Sequence, residues 1–464
     1  MRAIKLQTEP FEFISYLKLE CTKEMNEHGV LRMTGLIKEE KSKEYMEMVT
    51  RETWVRVYAI SEDERIRNFF AGVLTGLWIK KEGQVHTLSI EVKTGSFLLD
   101  IGQHMRSFQG GNLPYSQAAG LCIESEGGEL AVREKGEREA DRLLVQYRET
   151  DWAFTRRLAS YAGVVLIPED RMPKKGVSWG CPGGESVREI QADSYYIEQD
   201  YEKYKKQAAE GNGQQILADM LRFAVCSREM YVLGESVWFE GKKLIIGKID
   251  SWLEGQELYH RYYLMTKRGI LMSPYDNQCL SGISLNAAVA AVERTMVKVI
   301  IEEDENKENC GSRWFDYATV YSTPDGTGWY CMPEVGDKVR LVFPDRMEEH
   351  AYVSSSVHLG AAGGRTNPNE KSWKNPQNKE ILFTPDGIIL NNHKGMSVEI
   401  SDKDGIKIIS SSDIAMQAKG NISVKSQSGG VNLSADESIL MQQGAAKVQI
   451  SDAINICGGK VYMN

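Results

Sequence analysis

The sequence lacks any long apolar run. Its 464 residues contain no stretch that approaches the roughly eighteen consecutive apolar residues of a membrane-spanning helix. The first residues, MRAIKLQTEPFEFISYL, place charges and Pro10 where a secretory signal peptide needs an uninterrupted apolar core. We therefore expect synthesis in the cytoplasm without a signal peptide, and export only as part of something larger.

Closely spaced metal-binding or disulfide-forming residues are also lacking. The eight cysteines are scattered without a CxxC pair, and the seven histidines form no HxH or HExxH motif. Such spacings are what zinc sites and disulfide frameworks need. We predict reduced, mostly buried thiols, no metal and no cofactor.

An excess of positive charge is absent as well. The formal net charge is −9, whereas nucleic acids and anionic membranes favour basic partners. The aromatic stretch GWY at 328–330 could in principle stack on bases. In an acidic chain we expect core and turn packing for these rings instead.

Motifs for catalysis are missing too. The sequence contains no GxSxG, P-loop or GxGxxG. The acidic pairs Glu302–Glu303 and Glu348–Glu349 are sequence neighbours, whose side chains diverge on a strand and so form no acid/base pair. We interpret them as solvated surface charge and predict a protein without enzymatic activity and without catalytic residues.

Alternating apolar and polar residues dominate what is present. Period-2 runs such as FEFISYLKLECT and HTLSIEVKTGSFLLD are typical of antiparallel strands with one solvated face, so a mainly β protein is predicted. The expected order is a first β-barrel at 1–100, a helix-containing insertion at 101–220, a second β-barrel at 221–292, an OB-fold at 293–359, a linker at 360–380 and a repeat segment at 381–464.

One amphipathic helix is predicted in RETDWAFTRRLASYAGV. Thr150 or Asp151 can cap its first turn, and Gly163 supplies a left-handed stop. Its apolar side chains are Trp152, Phe154, Leu158 and Tyr161. The polar run at 190–215 indicates a solvated helix or loop.

Apolar doublets, two residues apart, recur about every eighth residue after position 380. The interior of the repeat segment is predicted to contain Val398, Ile400, Ile406, Ile408, Ile414, Met416, Ile422, Val424, Val431, Leu433, Val448 and Ile450. A doublet at i and i+2 defines a short strand with both side chains on one face. Because each octad buries only two aliphatic side chains, neighbouring strands must close a shared interior.

Two architectures satisfy this requirement. One chain can coil on itself as a parallel β-helix, or three chains can wind together into a triangular β-prism whose three walls each receive one strand per octad. The period alone does not separate them. In either case Val461 and Met463 form the last doublet and Asn464 follows directly, so we expect another protein to cover these three residues.

The order of these parts resembles the hub-and-spike proteins of contractile injection machines, namely VgrG proteins of type VI secretion and the hub and spike proteins of phage tails and tailocins. Two segments are similar to family motifs. RETDWAFTRRLASYAG would contribute the hub-helix residues Glu149, Asp151, Phe154, Arg157 and Leu158. WYCMPEVGDKVRLVFPD would contribute the OB-core residues Pro333, Val335, Gly336, Asp337, Val339 and Phe343.

The resemblance implies a homotrimer with two hub β-barrels per chain and a C-terminal intertwined trimeric β-helix. Its partners would be tail-tube and baseplate proteins at the hub and a PAAR-type protein at the tip, since no HxH motif for a metal-bound tip is present. It would cap a tail tube and be driven outward through a target envelope on contraction. The alternative is a monomeric β-helical, carbohydrate-active protein of the tailspike kind.

Overall fold

The computed structural model describes residues 3–61, 64–134, 139–140, 142–182, 187–202, 204–205, 216–255, 257–354 and 367–457. The chain forms two compact units, Met1–His358 (unit 1) and Leu359–Asn464 (unit 2). Within the described residues, no helix has the length and apolar character needed to cross a membrane.

The first part of unit 1 is an antiparallel sheet with one short helix. Its strands are β1 (Ala3–Glu9), β2 (Ser15–Glu24), β3 (Val30–Ile37), β4 (Trp54–Ser61), β5 (Ile66–Glu82) and β6 (Val85–Lys93), and the helix is α1 (Lys41–Met48). Every second residue of β3 and β6 is buried, as the alternating sequence predicts. The buried side chains form a core that includes Leu31, Phe70 and Ile90.

A layer of helices and short strands follows. It contains β7 (Gln103–Phe108), β8 (Leu113–Pro114), α2 (Tyr115–Ser125), β9 (Glu129–Val132), β10 (Glu139–Ala140), β11 (Leu144–Thr150), α3 (Asp151–Ala162), β12 (Leu166–Pro168) and β13 (Gly176–Trp179). The predicted helix is confirmed as α3: Thr150 Oγ1 accepts the Ala153 N–H at 3.1 Å, and Gly163 ends the helix at φ +67°. The helices α1 and α2 were not predicted.

The second hub region continues the first sheet rather than forming a separate one. Its strands are β14 (Arg188–Glu189), β15 (Ser194–Gln199), β16 (Leu221–Ser227), β17 (Ser236–Phe239), β18 (Lys242–Glu254) and β19 (Glu257–Met265). Because β18 pairs with β2, both predicted barrels are halves of one 12-stranded sheet. The strand β15 lies inside the polar run 190–215, so the prediction of a solvated helix or loop is wrong there; Tyr195 and Ile197 have the strand propensity that the charge count concealed.

The OB-fold is confirmed, and it starts earlier than predicted. Its strands are β20 (Ile283–Glu293), β21 (Met296–Ile301), β22 (Phe315–Asp316), β23 (Lys338–Phe343) and β24 (Tyr352–Ser354). The sheet order is β22-β21-β20-β23-β24, and a parallel bridge between Tyr317 and Val353 joins its two ends into a barrel. Since β20 pairs with both β21 and β23, residues 283–292 belong to this barrel and not to the second hub region.

Unit 2 contains two separate antiparallel meanders. The strands are β25 (Lys371–Lys374), β26 (Glu380–Thr384), β27 (Gly387–Asn391), β28 (Ser397–Ser401) and β29 (Gly405–Ile409), then β30 (Ile439–Gln443), β31 (Ala446–Ile450) and β32 (Ile454–Cys457). Part of the predicted linker 360–380 is a strand instead: β25 lies within this range and pairs with β26. Residues 410–438 are all described and contain no strand.

Candidate functional site

The hub helix α3 carries a fully buried arginine. The Arg157 guanidinium is 0% exposed and donates to both carboxylate oxygens of Glu149, at 2.9 and 2.7 Å, and to the backbone carbonyl of Val145 at 2.8 Å. A buried charge needs such partners to offset its lost hydration. The Glu149 and Arg157 positions of the hub-helix motif are therefore one ion pair that fixes α3 on β11.

The same guanidinium reaches the OB barrel. Its Nη1 donates to Oε1 of Glu348 at 3.0 Å, and that oxygen also accepts the Val145 N–H at 2.8 Å. Burial alone would lower the pKa of Arg157, but the carboxylates of Glu348 and Glu149 hold that pKa well above its ordinary value. Arg157 thus joins the helix, the strand β11 and the OB barrel through one side chain.

The interpretation of Glu348 as surface charge is wrong. Glu348 is 2% exposed, whereas its neighbour Glu349 is exposed, because the single 3-10 turn Glu348–His350 points consecutive side chains in different directions. The other acidic pair, Glu302 and Glu303, is exposed as expected. Sequence reasoning missed Glu348 because its partner Arg157 lies almost two hundred residues away, which no local pattern records.

The OB motif divides into a turn and a core strand. Val339 and Phe343 are buried in the barrel core, and Pro333 is half-buried. Val335 is 66% exposed, and Gly336 is exposed with φ +94°. The prediction that these two residues belong to the core is therefore wrong. They occupy the middle of a turn in which the Asp337 N–H bonds the Glu334 carbonyl at 3.0 Å. Glycine suits position 336 because the third residue of this turn is left-handed.

The first octad doublets line up across the strands of the meander. Cross-strand pairing forms two apolar columns on one face: Phe383, Ile388, Ile400 and Ile406 in one, and Ile381, Leu390, Val398 and Ile408 in the other. The expectation of one strand per wall per octad is therefore wrong for these doublets, because tight turns return the chain onto the same sheet. A groove of about 490 Å³ follows the second column.

Ile406 and Ile408 on β29 are the last doublet of the meander, and the doublets from Ile414 to Leu433 lie in no strand of the described residues. Eight apolar side chains are between 51% and 72% exposed: Ile406, Ile408, Ile414, Met416, Ile422, Val424, Val431 and Leu433. Val448 is half-buried and Ile450 is 37% exposed. A run of doublets this exposed is an interaction surface in a folded protein.

Three further predictions concern other parts of the chain. Trp329 and Tyr330 lie on a hairpin closed by the Ser322–Gly328 bridge, as expected for a turn, but they are 51% and 70% exposed, so the expected core packing is not observed.

Among the described cysteines, Cys21, Cys122 and Cys310 are buried, while two are exposed. The predicted tip residues Val461, Met463 and Asn464 lie outside the described residues.

No protein-family model and no curated protein matches the sequence. Solved structures do match the fold. An Escherichia coli protein, described as a component of the type VI secretion system with structural similarity to the T4 bacteriophage tail proteins gp27 and gp5, aligns with a TM-score of 0.55 at 12% identity, covering 76% of this chain and 100% of that chain.

A second match comes from the Francisella PdpA–VgrG complex in its half-lidded form, with a TM-score of 0.54 at 9% identity and 88% of each chain covered. The lidless PdpA–VgrG complex aligns with a TM-score of 0.52 at 8% identity, covering 85% of this chain and 93% of that chain. The fold of the chain is therefore similar to that of these type VI secretion and VgrG proteins, as the resemblance in the sequence predicted.

Proposed function

We propose that the protein is the structural hub-spike of a contractile injection machine, and that three copies assemble through their octad segments. The observation that carries this proposal is the exposure of the eight doublet side chains between Ile406 and Leu433, each more than half exposed. Burying one such side chain contributes about 1.5–3 kcal/mol. A segment of this composition therefore gains most of its stability from association.

The partner that fits these doublets best is another copy of the same chain. A surface that repeats every eight residues is complementary to a surface with the same repeat, and identical chains provide it in register along the whole segment. Winding also gives the backbone groups of 410–438 their missing strand partners. Three chains would close a triangular prism in which the doublets of 410–438 face the axis.

The single-chain β-helix is disfavoured by the described residues of unit 2. A coiled chain would pair 410–438 with strands of its own sequence, yet this segment contains none. The tailspike alternative is disfavoured for the same reason, since it requires a single chain that coils on itself. A prism of paired strands instead resists bending, which suits a mechanical role in which the spike is pushed through an envelope.

The remaining partners follow from the same role. The 12-stranded sheet of unit 1 would form the hub ring that meets the tail tube and baseplate. A PAAR-type tip protein at Val461, Met463 and Asn464 is the further partner that the family resemblance implies. The particle, rather than the single chain, would deliver the protein outward.

Light scattering on the purified full chain tests the assembly. We expect a mass of three times the 52.2 kDa chain. The double variant Ile414→Ser/Met416→Ser should shift the mass to that of one chain, because it places hydroxyls in the shared interior. Ala415→Ser, which changes the residue between them, is the matched control and should remain trimeric.

The result that would overturn the proposal is a wild-type mass of one chain together with resistance of residues 410–438 to protease. That outcome would favour the monomeric β-helical alternative. Hydrolysis of a bacterial surface polysaccharide by the pure protein would add direct support for it.

A further inference from the structure

A cluster of metal-ligating side chains lies in unit 1, away from the octad segment. It consists of His104 on β7, Glu126 just after α2 and Asp151 at the start of α3, and their ligand atoms all lie within 4.8 Å of one another. These three residues are far apart in sequence and form no motif. The fold alone brings them together.

Asp151 provides the strongest indication that the cluster holds a ligand. Its side chain is 1% exposed, and its Oδ1 accepts hydrogen bonds from Arg106 and from Gln146 Nε2, the latter at 2.8 Å. Its Oδ2 is buried too, but it accepts no hydrogen bond from any described residue. A buried carboxylate oxygen without a partner is costly, so a group that binds it would stabilise the fold.

The imidazole of His104 is oriented toward that oxygen. Its Nδ1 lies 2.9 Å from Oε2 of Glu305, which comes from the OB barrel, and 3.1 Å from Arg106 Nη2, while its Nε2 lies 3.7 Å from Asp151 Oδ2 and 3.9 Å from Glu126 Oε1. The carboxylate is the shorter of the two Nδ1 contacts, and in the tautomer whose Nδ1–H donates to it, the Nε2 lone pair is free to bind a cation. This carboxylate–histidine arrangement is the usual outer shell of zinc ligands.

The local charge also fits a divalent cation. The carboxylates of Glu126, Asp151 and Glu305 contribute three negative charges, and Arg106 contributes one positive charge beside Asp151. These charges sum to −2, which one divalent ion neutralises. The site has access to solvent, since the Glu126 side chain is 41% and the Glu305 side chain 44% exposed.

We propose that this cluster binds one zinc ion per chain through His104 Nε2, Asp151 Oδ2 and a Glu126 oxygen, with water as the fourth ligand. In a tetrahedral zinc site the ligand atoms lie about 3.4 Å apart, given zinc–ligand distances of about 2.0–2.1 Å. His104 Nε2 lies 3.7 Å from Asp151 Oδ2 and 3.9 Å from Glu126 Oε1, and all three ligand atoms lie within 4.8 Å of one another, so zinc binding would draw them together, chiefly by an inward movement of the half-exposed Glu126. Through Glu305 the ion would also tie the hub to the OB barrel.

Isothermal titration of untagged, chelator-treated full-length protein with zinc chloride tests the proposal. We expect one ion per chain, no binding by His104→Ala, and binding at least tenfold weaker for Glu126→Gln. Glu305→Gln should weaken binding about 10- to 100-fold, because it removes the group that orients His104. Cobalt substitution should give the visible absorption of a four-coordinate site, which Glu126→Gln alters.

Two control variants match these changes. Glu124→Gln alters an exposed carboxylate at the end of α2, and His350→Ala removes an exposed histidine that pairs with Asp345; both should bind zinc like the wild type. Glu126→Gln is a surface change, so its result stands even if His104→Ala fails to fold.

The proposal is overturned if the wild type binds no zinc, or if Glu126→Gln and His104→Ala bind it as the wild type does. An NMR titration showing that His104 is protonated at neutral pH in the metal-treated protein would overturn it as well. In that case an imidazolium paired with Asp151 and Glu305 fills the place assigned to the ion.

Discussion

Units 1 and 2 stabilise their folds in opposite ways. In unit 1, side chains such as Phe154, Leu158 and Phe343 are 0% exposed within a single chain. In unit 2, Ile406 and Leu433 are each 72% exposed, although they are as apolar. Unit 1 brings remote segments of one chain into contact, whereas the octads leave these apolar side chains exposed.

This contrast also separates two uses of charge. Unit 1 buries Arg157 with Glu149 and Glu348, and Lys23 with Asp170 at 2.6 Å. In the described part of unit 2, charged side chains such as Lys407 and Glu399 alternate with the doublets and face away from them. Buried ion pairs position the hub and OB elements, while alternating charges keep one face of the octad segment polar.

The largest difference between units 1 and 2 is expected in their rates of proteolysis. In the monomeric Ile414→Ser/Met416→Ser variant, trypsin should cut at Lys419 and Lys425 at least a hundredfold faster than in the wild-type assembly, because these bonds lose their strand partners. Unit 1 should stay intact in both proteins. Mass spectrometry of timed digests measures the rates, and equal rates would contradict the dependence of unit 2 on other copies.

A large effect is also expected from Glu348→Ala in unit 1. The change leaves Arg157 buried with one carboxylate instead of two and should lower the free energy of unfolding by about 3–5 kcal/mol. Urea unfolding followed by the fluorescence of buried Trp152 measures it. Glu349→Ala is the control and should change the free energy of unfolding by less than about 0.5 kcal/mol. Similar values for both variants would show that the contact between Arg157 and Glu348 does not stabilise unit 1.

Acid should destabilise unit 1 through His260. Burial, with a smaller contribution from the charge of Lys23, lowers the pKa of His260 to about 3 from an ordinary value of 6.5. The folded protein favours the neutral imidazole, whereas the unfolded chain binds a proton below about pH 6.5. The free energy of unfolding is therefore highest above pH 6.5 and falls as the pH falls from 6.5 toward 3.

The slope attributable to His260 is up to about 1.4 kcal/mol per pH unit. Denaturant unfolding at pH 4, 5, 6 and 7 should therefore give a shallower pH dependence for His260→Gln than for the wild type. His393→Gln, at an exposed position, serves as the reference. Identical slopes in all three proteins would show that His260 titrates normally.

The smallest expected effects sharpen the division of the OB motif. Gly336→Ala should destabilise the barrel by about 1–2 kcal/mol, because φ +94° is unfavourable for a residue with a Cβ. Val335→Ala should change stability by less than about 0.5 kcal/mol, since the side chain is exposed. Thermal unfolding of both variants distinguishes a turn requirement from a core requirement, and a larger effect of Val335→Ala would reverse the assignment.

Local patterns in the sequence predicted the local parts of the fold. The α3 helix followed from a capping residue, an apolar face and Gly163, and the OB strands followed from alternation around Val339 and Phe343. The boundary at 293 was placed too late because β20 is as apolar as a hub strand, and only its pairing with β21 and β23 assigns it to the barrel.

Contacts between remote residues could not be predicted in the same way. Nothing near Glu348 indicates that Arg157 will reach it, and nothing in the spacing of His104, Glu126 and Asp151 indicates a common site. Both sets of residues can be recognised only once the structure gives their burial and their distances from one another. The octad doublets are the opposite case, since their regular spacing predicted an apolar surface that the chain alone does not cover.

The Arg157 cluster has a mechanical consequence. A force that separates the OB barrel from the hub acts at once on the bonds from Arg157 to Glu348 and from the Val145 N–H to the same carboxylate. Bonds loaded side by side share a tension, whereas bonds loaded in series fail one after another. Separating the OB barrel from the rest of unit 1 therefore requires these bonds to break together rather than one after another.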